Sequence, residues 1–143
     1  MRKSVQLLAA ATSIASLGLM TVPANADNSI IKIGKKGQLS SSQKVAYVKA
    51  KVVCSEDTTS AAFEVTLTQV TSGGTQTATS TVYAWNAFEC TGEEEKFWVP
   101  VRRPTGGYKW VTGAARVTDL HFYSEDPSGG FHDTAKGRTI KIM

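Results

Sequence analysis

From Val45 to Cys54 apolar and polar positions alternate, with Val48, Ala50, Val52 and Cys54 on one face and Lys49 and Lys51 on the other. That is the period of a strand with one side buried and one side wet. Phe63, Val65 and Leu67 repeat the pattern against Glu64, Thr66 and Thr68, and the run stops at Thr71-Ser72-Gly73-Gly74-Thr75. Glycines there supply positive φ at little steric cost, so with the Thr-rich run Gln76 to Tyr83 the stretch predicts a β-hairpin. Phe97, Val99 and Val101 alternate with Lys96, Trp98 and Pro100. Pro100 has no N–H to give to a ladder, so this strand is expected at a sheet edge or with that position facing solvent. Between Ala114 and Tyr123 the parity breaks: Ala115 and Val117 lie on one face, Leu120 and Phe122 on the other. One extra residue near Thr118-Asp119, a β-bulge, would return both pairs to the same side.

The remaining segments are shorter. Residues 29–33 predict a first strand that ends in a Gly34-Lys35-Lys36-Gly37 turn with a basic tip, and Thr139 to Met143 predicts a last one. Glu93-Glu94-Glu95 reads as a solvated loop, and Ser124 to Gly130 as the longest irregular stretch. No segment holds helical spacing over about eleven residues. Seven or eight short strands separated by turn signals predict an all-β fold, an immunoglobulin-like antiparallel two-sheet sandwich.

The first residues change the picture of where the chain works. Arg2-Lys3, an apolar run from Val5 to Val22 and Ala24-Asn25-Ala26 have the form of a secretory signal peptide over residues 1–26, leaving residues 27–143 as one domain. In an oxidising compartment the two cysteines, Cys54 and Cys90, are expected to pair with each other. Parity puts Cys54 on the apolar face, so the bridge is expected to cross the interior between two sheets. Two of the sixteen basic residues fall in the leader, leaving fourteen against twelve acidic, a net charge of +2. A balance so near neutral gives no support to nucleic-acid binding, and no apolar run after the leader is long enough to span a membrane.

Chemical motifs are scarce. There is no G-x-S-x-G elbow and no C-x-x-C. His121 and His132 stand eleven apart with both cysteines engaged, which is not zinc-ligand spacing, so no metal and no cofactor is expected. Glu125, Asp126 and Asp133 could gather oxygens for Ca²⁺, although the spacing fits no EF-hand. Trp98 is out of phase with the apolar face of its own strand, and with Trp110 and Tyr108 it forms the candidate ligand platform. Trp85 is the alternative partner for the disulfide, packing on it as aromatic residues do in immunoglobulin domains.

The succession Val52-Val53-Cys54, Val65-Thr66-Leu67-Thr68-Gln69, Glu89-Cys90-Thr91-Gly92 and Gly113-Ala114-Ala115 resembles small exported proteins of actinobacteria. Those carry one immunoglobulin-like sandwich with a single bridge and have no assigned activity, so the resemblance implies a fold and no site residues. The enediyne-binding apoproteins are similar in size and class but have two disulfides. Together these readings lead to the expectation of a secreted, extracellular, non-enzymatic domain, free or retained at the cell wall. It would present a surface to an extracellular protein, glycan or small molecule. The alternative is a small-molecule carrier or glycan-binding module using exposed aromatic residues.

Overall fold

The computed structural model describes residues 30–143, and the expected leader lies outside them. Eight strands follow one another: β1 (Ile30–Leu39), β2 (Val45–Val53), β3 (Ser60–Thr71), β4 (Gly74–Tyr83), β5 (Glu94–Arg102), β6 (Gly113–Asp126), β7 (Gly129–Ala135) and β8 (Arg138–Ile142). They hydrogen-bond in the order β4-β3-β6-β8-β1-β2-β5, with β7 also on β6. All pairs are antiparallel except β1 with β8, where Lys36 faces Lys141 and Gly37 faces Ile142 in parallel. The expectation of two separate antiparallel sheets is therefore corrected to one continuous, mixed sheet.

That sheet curls until its ends face each other. Phe63 of β3 meets Phe97 of β5 edge-on, with ring centroids 5.3 Å apart, although the two strands are five places apart in the sheet. The alternation seen in the sequence supplies the filling: Val48, Ala50 and Val52, Phe63, Val65 and Leu67, and Phe97, Val99 and Val101 are all buried. Each such valine, leucine or phenylalanine withdrawn from water stabilises the fold by about 1.5–3 kcal/mol before entropy is charged against it.

Pro100 explains why the curl stops short of a closed barrel. β5 is an edge strand, as the proline predicts. The Pro100 carbonyl accepts a hydrogen bond from the Ser80 hydroxyl of β4 at 2.6 Å, so this residue's polar side faces β4. A strand residue's N–H and C=O point the same way, so the missing donor lies where a β4–β5 ladder would have formed.

The predicted bulge is present. Thr66 pairs with Asp119 and Leu67 with Val117, leaving Thr118 as the extra residue. The bulge falls where β6 changes partner along one edge, from β8 (up to Val117) to β7 (from Leu120). Gly137, in the link between those two strands, presses on the same place: a Cβ there would overlap the Val117 carbonyl.

Four further expectations are corrected. Gly34-Lys35-Lys36-Gly37 is an irregularity inside β1, with the register to β2 shifting between Ile33 and Gly37. Ser124 to Gly130 is mostly regular, because Asp126 pairs with Gly129 around a tight Pro127-Ser128 turn. Glu94 and Glu95 begin β5 instead of lying in a loop. The Cys54–Cys90 bridge is present, but it joins the extensions of β2 and β5, already neighbours through Val53 and Glu94, and does not cross between layers.

The long connections close the two ends. Residues 84–93 run from one edge strand to the other and turn Phe88 inward, stacked on Phe97 at 4.8 Å and tilted against Phe122 at 6.0 Å. The disulfide and a Gly92 N–H bond to the Cys54 carbonyl anchor this connection. At the other end, residues 103–112 drive Trp110 into the core. Buried Gln69 holds that connection by donating to the Val111 and Ala114 carbonyls and accepting from the Val111 N–H.

With the cysteines 36 positions apart in sequence, chain entropy predicts that replacing both by alanine lowers stability by about 3–4 kcal/mol. Urea unfolding of the double variant under non-reducing conditions checks this, and wild type in excess reductant is expected to lose a similar amount.

Candidate functional site

Strand register assembles a row of side chains on the outer face of β4, β3, β6 and β7 that are far apart in sequence. Ala62 pairs with Tyr83 on one side and Tyr123 on the other, and Tyr123 pairs with His132. Directly paired residues point to the same face, so the row reads Tyr83, Ala62, Tyr123, His132. Tyr83 is 56% exposed and Tyr123 43%. Two strand spacings separate their Cα atoms by about 10 Å, and the only side chain between them is a methyl group.

Tyr123 is held upright. Its ring stacks on His132 at 4.5 Å with the planes 6° apart, and His132 stacks in turn on His121 at 5.2 Å. His121 Nδ1 and His132 Nε2 lie 3.0 Å apart, one ring nitrogen donating to the other. Because His132 covers Tyr123 from the β7 side, the other face of the phenol ring looks over Ala62 towards Tyr83. The result is a groove of about 520 Å³ with aromatic walls.

Polar groups line the slot on one side and neighbour it on the other. Glu64, two residues along β3, is paired with His121 and lies 3.5 Å from the Thr81 hydroxyl. Towards the other end, the Ser60 hydroxyl donates to Glu125 Oε1 at 3.3 Å. Beyond Tyr83 the chain reaches Trp85, which is 53% exposed and has φ of 74°. Left-handed backbone at a bulky residue costs roughly 1–3 kcal/mol and collects at sites where a side chain is presented for use.

The expected platform is taken apart. Trp110 is completely buried, so it is core and offers no stacking surface, which corrects its inclusion. Tyr108 lies against the β3–β4 turn, where a Cβ on Gly73 would strike its ring. Trp98 remains 38% exposed on the outer face of β5, with Lys49 Nζ 5.3 Å from the centre of its ring. Trp85 points outward, and Phe88 is the aromatic that its loop buries.

The calcium grouping also fails to gather. Glu125 pairs with Gly130 and Asp133 with Phe122, positions of opposite parity, so the two carboxylates leave opposite faces of the sheet. Among the described residues no three His, Cys, Asp or Glu side chains come together in a way that could hold a metal ion. Asp126 has a structural task instead: its carboxylate accepts the Ser128 hydroxyl at 2.6 Å and the Ser128 N–H at 2.8 Å.

The sequence reading missed the tyrosine slot because it missed the β6–β7 hairpin. The signal was there: Asp126-Pro127-Ser128-Gly129 has Asp, Pro and Gly at the first, second and fourth positions that a type I turn favours. Once that turn is recognised, His132 falls beside Tyr123 and close to His121.

The same turn yields a pH dependence. The Ser128 hydroxyl, aided by the backbone N–H groups of Ser128 and Gly129, holds the Asp126 carboxyl below its ordinary 3.8. A depressed carboxylate contributes stability above its unfolded pKa and loses it as pH falls through the folded value. Amide exchange at Ser128 and Gly129 is therefore expected to speed up, relative to the sheet centre, only below about pH 4. In Asp126→Ala it is expected to be fast at neutral pH as well.

No family model matches the sequence, and no curated protein does. Among solved structures the chain is similar to a β-glucosidase from Listeria innocua in complex with isofagomine, with 15% identity and a TM-score of 0.36. The match covers 80% of this chain and 16% of that one, so the chain spans under a fifth of the glucosidase. A likeness of that degree carries no argument about what this protein does.

Proposed function

We propose that this protein is a secreted, non-enzymatic binding domain that holds one ring of a neutral glycan between Tyr83 and Tyr123. The observation that carries the reading is the open face of Tyr123 over Ala62, fixed by the stack on His132. Sugar rings present C–H groups to aromatic faces and hydroxyls to carboxylates, and this slot offers aromatic walls with Ser60 and Glu125 in its lining. The Glu125 carboxylate disfavours an anionic ligand.

The disulfide supports an oxidising, extracellular setting, as does the form of the leader. In architecture the facing layers, β4-β3-β6-β7 and β8-β1-β2-β5, support an immunoglobulin-like sandwich in which hydrogen bonding passes from layer to layer at β6–β8.

Screening the purified protein against immobilised neutral oligosaccharides, followed by calorimetry on the best binder, tests this. Tyr83→Ala and Tyr123→Ala are each expected to weaken binding at least tenfold, about 1.4 kcal/mol, with little change in thermal stability. Ala62→Leu, which fills the floor of the slot, is expected to abolish binding. A ligand bound equally well by Ala62→Leu, or no neutral sugar bound at millimolar concentration, contradicts the reading.

A further inference from the structure

The near-neutral total charge conceals a separation. Lys32 of β1 pairs with Lys51 of β2, and Lys51 pairs with Lys96 of β5, so three lysines lie in a row across three adjacent strands on one outer face. Like charges directly opposite one another destabilise a sheet. Among the described residues the one ion pair is Lys51 with Glu94 at 3.3 Å, which leaves Lys32 and Lys96 without an acidic partner. The next row carries Lys49 opposite Trp98, the lysine ammonium 5.3 Å from the indole centre. Gly34 lies beside Lys49 with no side chain of its own, and the groove over these residues, about 350 Å³, is also lined by Lys35 and Arg138. By contrast, Glu64, Asp119 and Glu125 belong to the face that carries the tyrosine slot.

We propose that the outer face of β1, β2 and β5 binds an anionic polysaccharide, with Lys32, Lys51 and Lys96 meeting its charged groups and Trp98 stacking on one of its rings. A repulsive row kept on a folded surface is relieved when an anion of matching spacing lies along it. The lysines recur at about 5 Å, comparable with the length of one sugar unit in an extended chain. A row of charges running across three adjacent strands suits a linear polymer, and the half-exposed indole inside a basic surface supplies what a purely electrostatic site lacks, a surface for a ring. A lipid surface would call for an unbroken apolar fringe around the lysines, and here each flanking row carries a charge, Lys49 beside Trp98 on one side and Glu94 beside Val53 on the other. The site is independent of the tyrosine slot, so it stands or falls separately.

Calorimetry and co-sedimentation of the purified protein with polygalacturonate test the proposal, with neutral dextran, phosphatidylglycerol vesicles and single-stranded DNA as comparisons. Binding to polygalacturonate is expected to be saturable and to weaken with salt. It is expected to fall at least tenfold in Lys32→Ala/Lys96→Ala and about threefold in Trp98→Ala. The control Lys109→Ala/Lys136→Ala removes the same charge elsewhere and is expected to stay within twofold of wild type. Melting temperatures of the lysine variants should be no lower than wild type, and Lys32→Thr alone serves if the pair variant does not fold. Equal weakening by the control pair would overturn the proposal, as would an unchanged Trp98→Ala, tighter binding of vesicles or DNA, or dextran binding as well as polygalacturonate.

Discussion

A sheet that curls until its first and last strands face each other has two open edges to manage, and here they are managed at Pro100 and Ser80. The proline withholds the donor that a ladder between β4 and β5 would need, and the serine hydroxyl supplies a single side-chain bond in its place. The edges stay close enough to enclose a core yet never merge. What holds them is packing: Phe63 on Phe97 across the middle, Phe88 wedged at one end and Trp110 at the other. The disulfide has a different task from one that spans two layers. It fixes the connection that carries Phe88 from edge to edge, so the plug and its anchor share one loop.

Curling also decides which side chains can act together on the outside. Cross-strand pairing gathers Tyr83, Ala62, Tyr123 and His132 on the outer face of four strands and Lys32, Lys51 and Lys96 on the outer face of three others. Because those faces share no strand, Glu64, Asp119 and Glu125 beside the tyrosines are kept apart from the lysine row. Both readings of the outer surface follow from register alone. A slip of one residue in β6 would turn Tyr123 inward, and the same slip in β2 would dissolve the lysine row. The bulge at Thr118 is thus more than a local irregularity: it keeps Ala115 and Val117 on the same inner side as Leu120 and Phe122 while Tyr123 stays out.

How much of this could be read in advance depended on the range of the physical signal. Alternation at Val48 to Cys54, Phe63 to Leu67 and Phe97 to Val101, the Gly73-Gly74 turn, the edge position of Pro100 and the bulge are local patterns, and each was legible. The pairing of Cys54 with Cys90 was legible by arithmetic, whereas its course between neighbouring strands was not, because strand order is not written in periodicity. The Gly34 to Gly37 stretch misled for a related reason. Two glycines signal a turn whether the chain reverses or, as here, bulges and goes on. Trp110 shows the limit most plainly, since no alternation marks its segment and only the path of the β5–β6 connection buries it. The tyrosine slot needed three pairings at once, one of them through the unrecognised Asp126–Gly129 turn.

The most direct test of the curled sheet is the proximity of Phe63 and Phe97, residues on strands that share no hydrogen bonds. Nuclear Overhauser spectra of the folded protein with labelled phenylalanine rings measure it. The account predicts ring-to-ring cross-peaks between Phe63 and Phe97, at a centroid separation of 5.3 Å, and between Phe88 and Phe97 at 4.8 Å. Absence of the Phe63–Phe97 cross-peak in an otherwise well-resolved spectrum would mean an open sheet, and the two outer faces described here would lose their common frame.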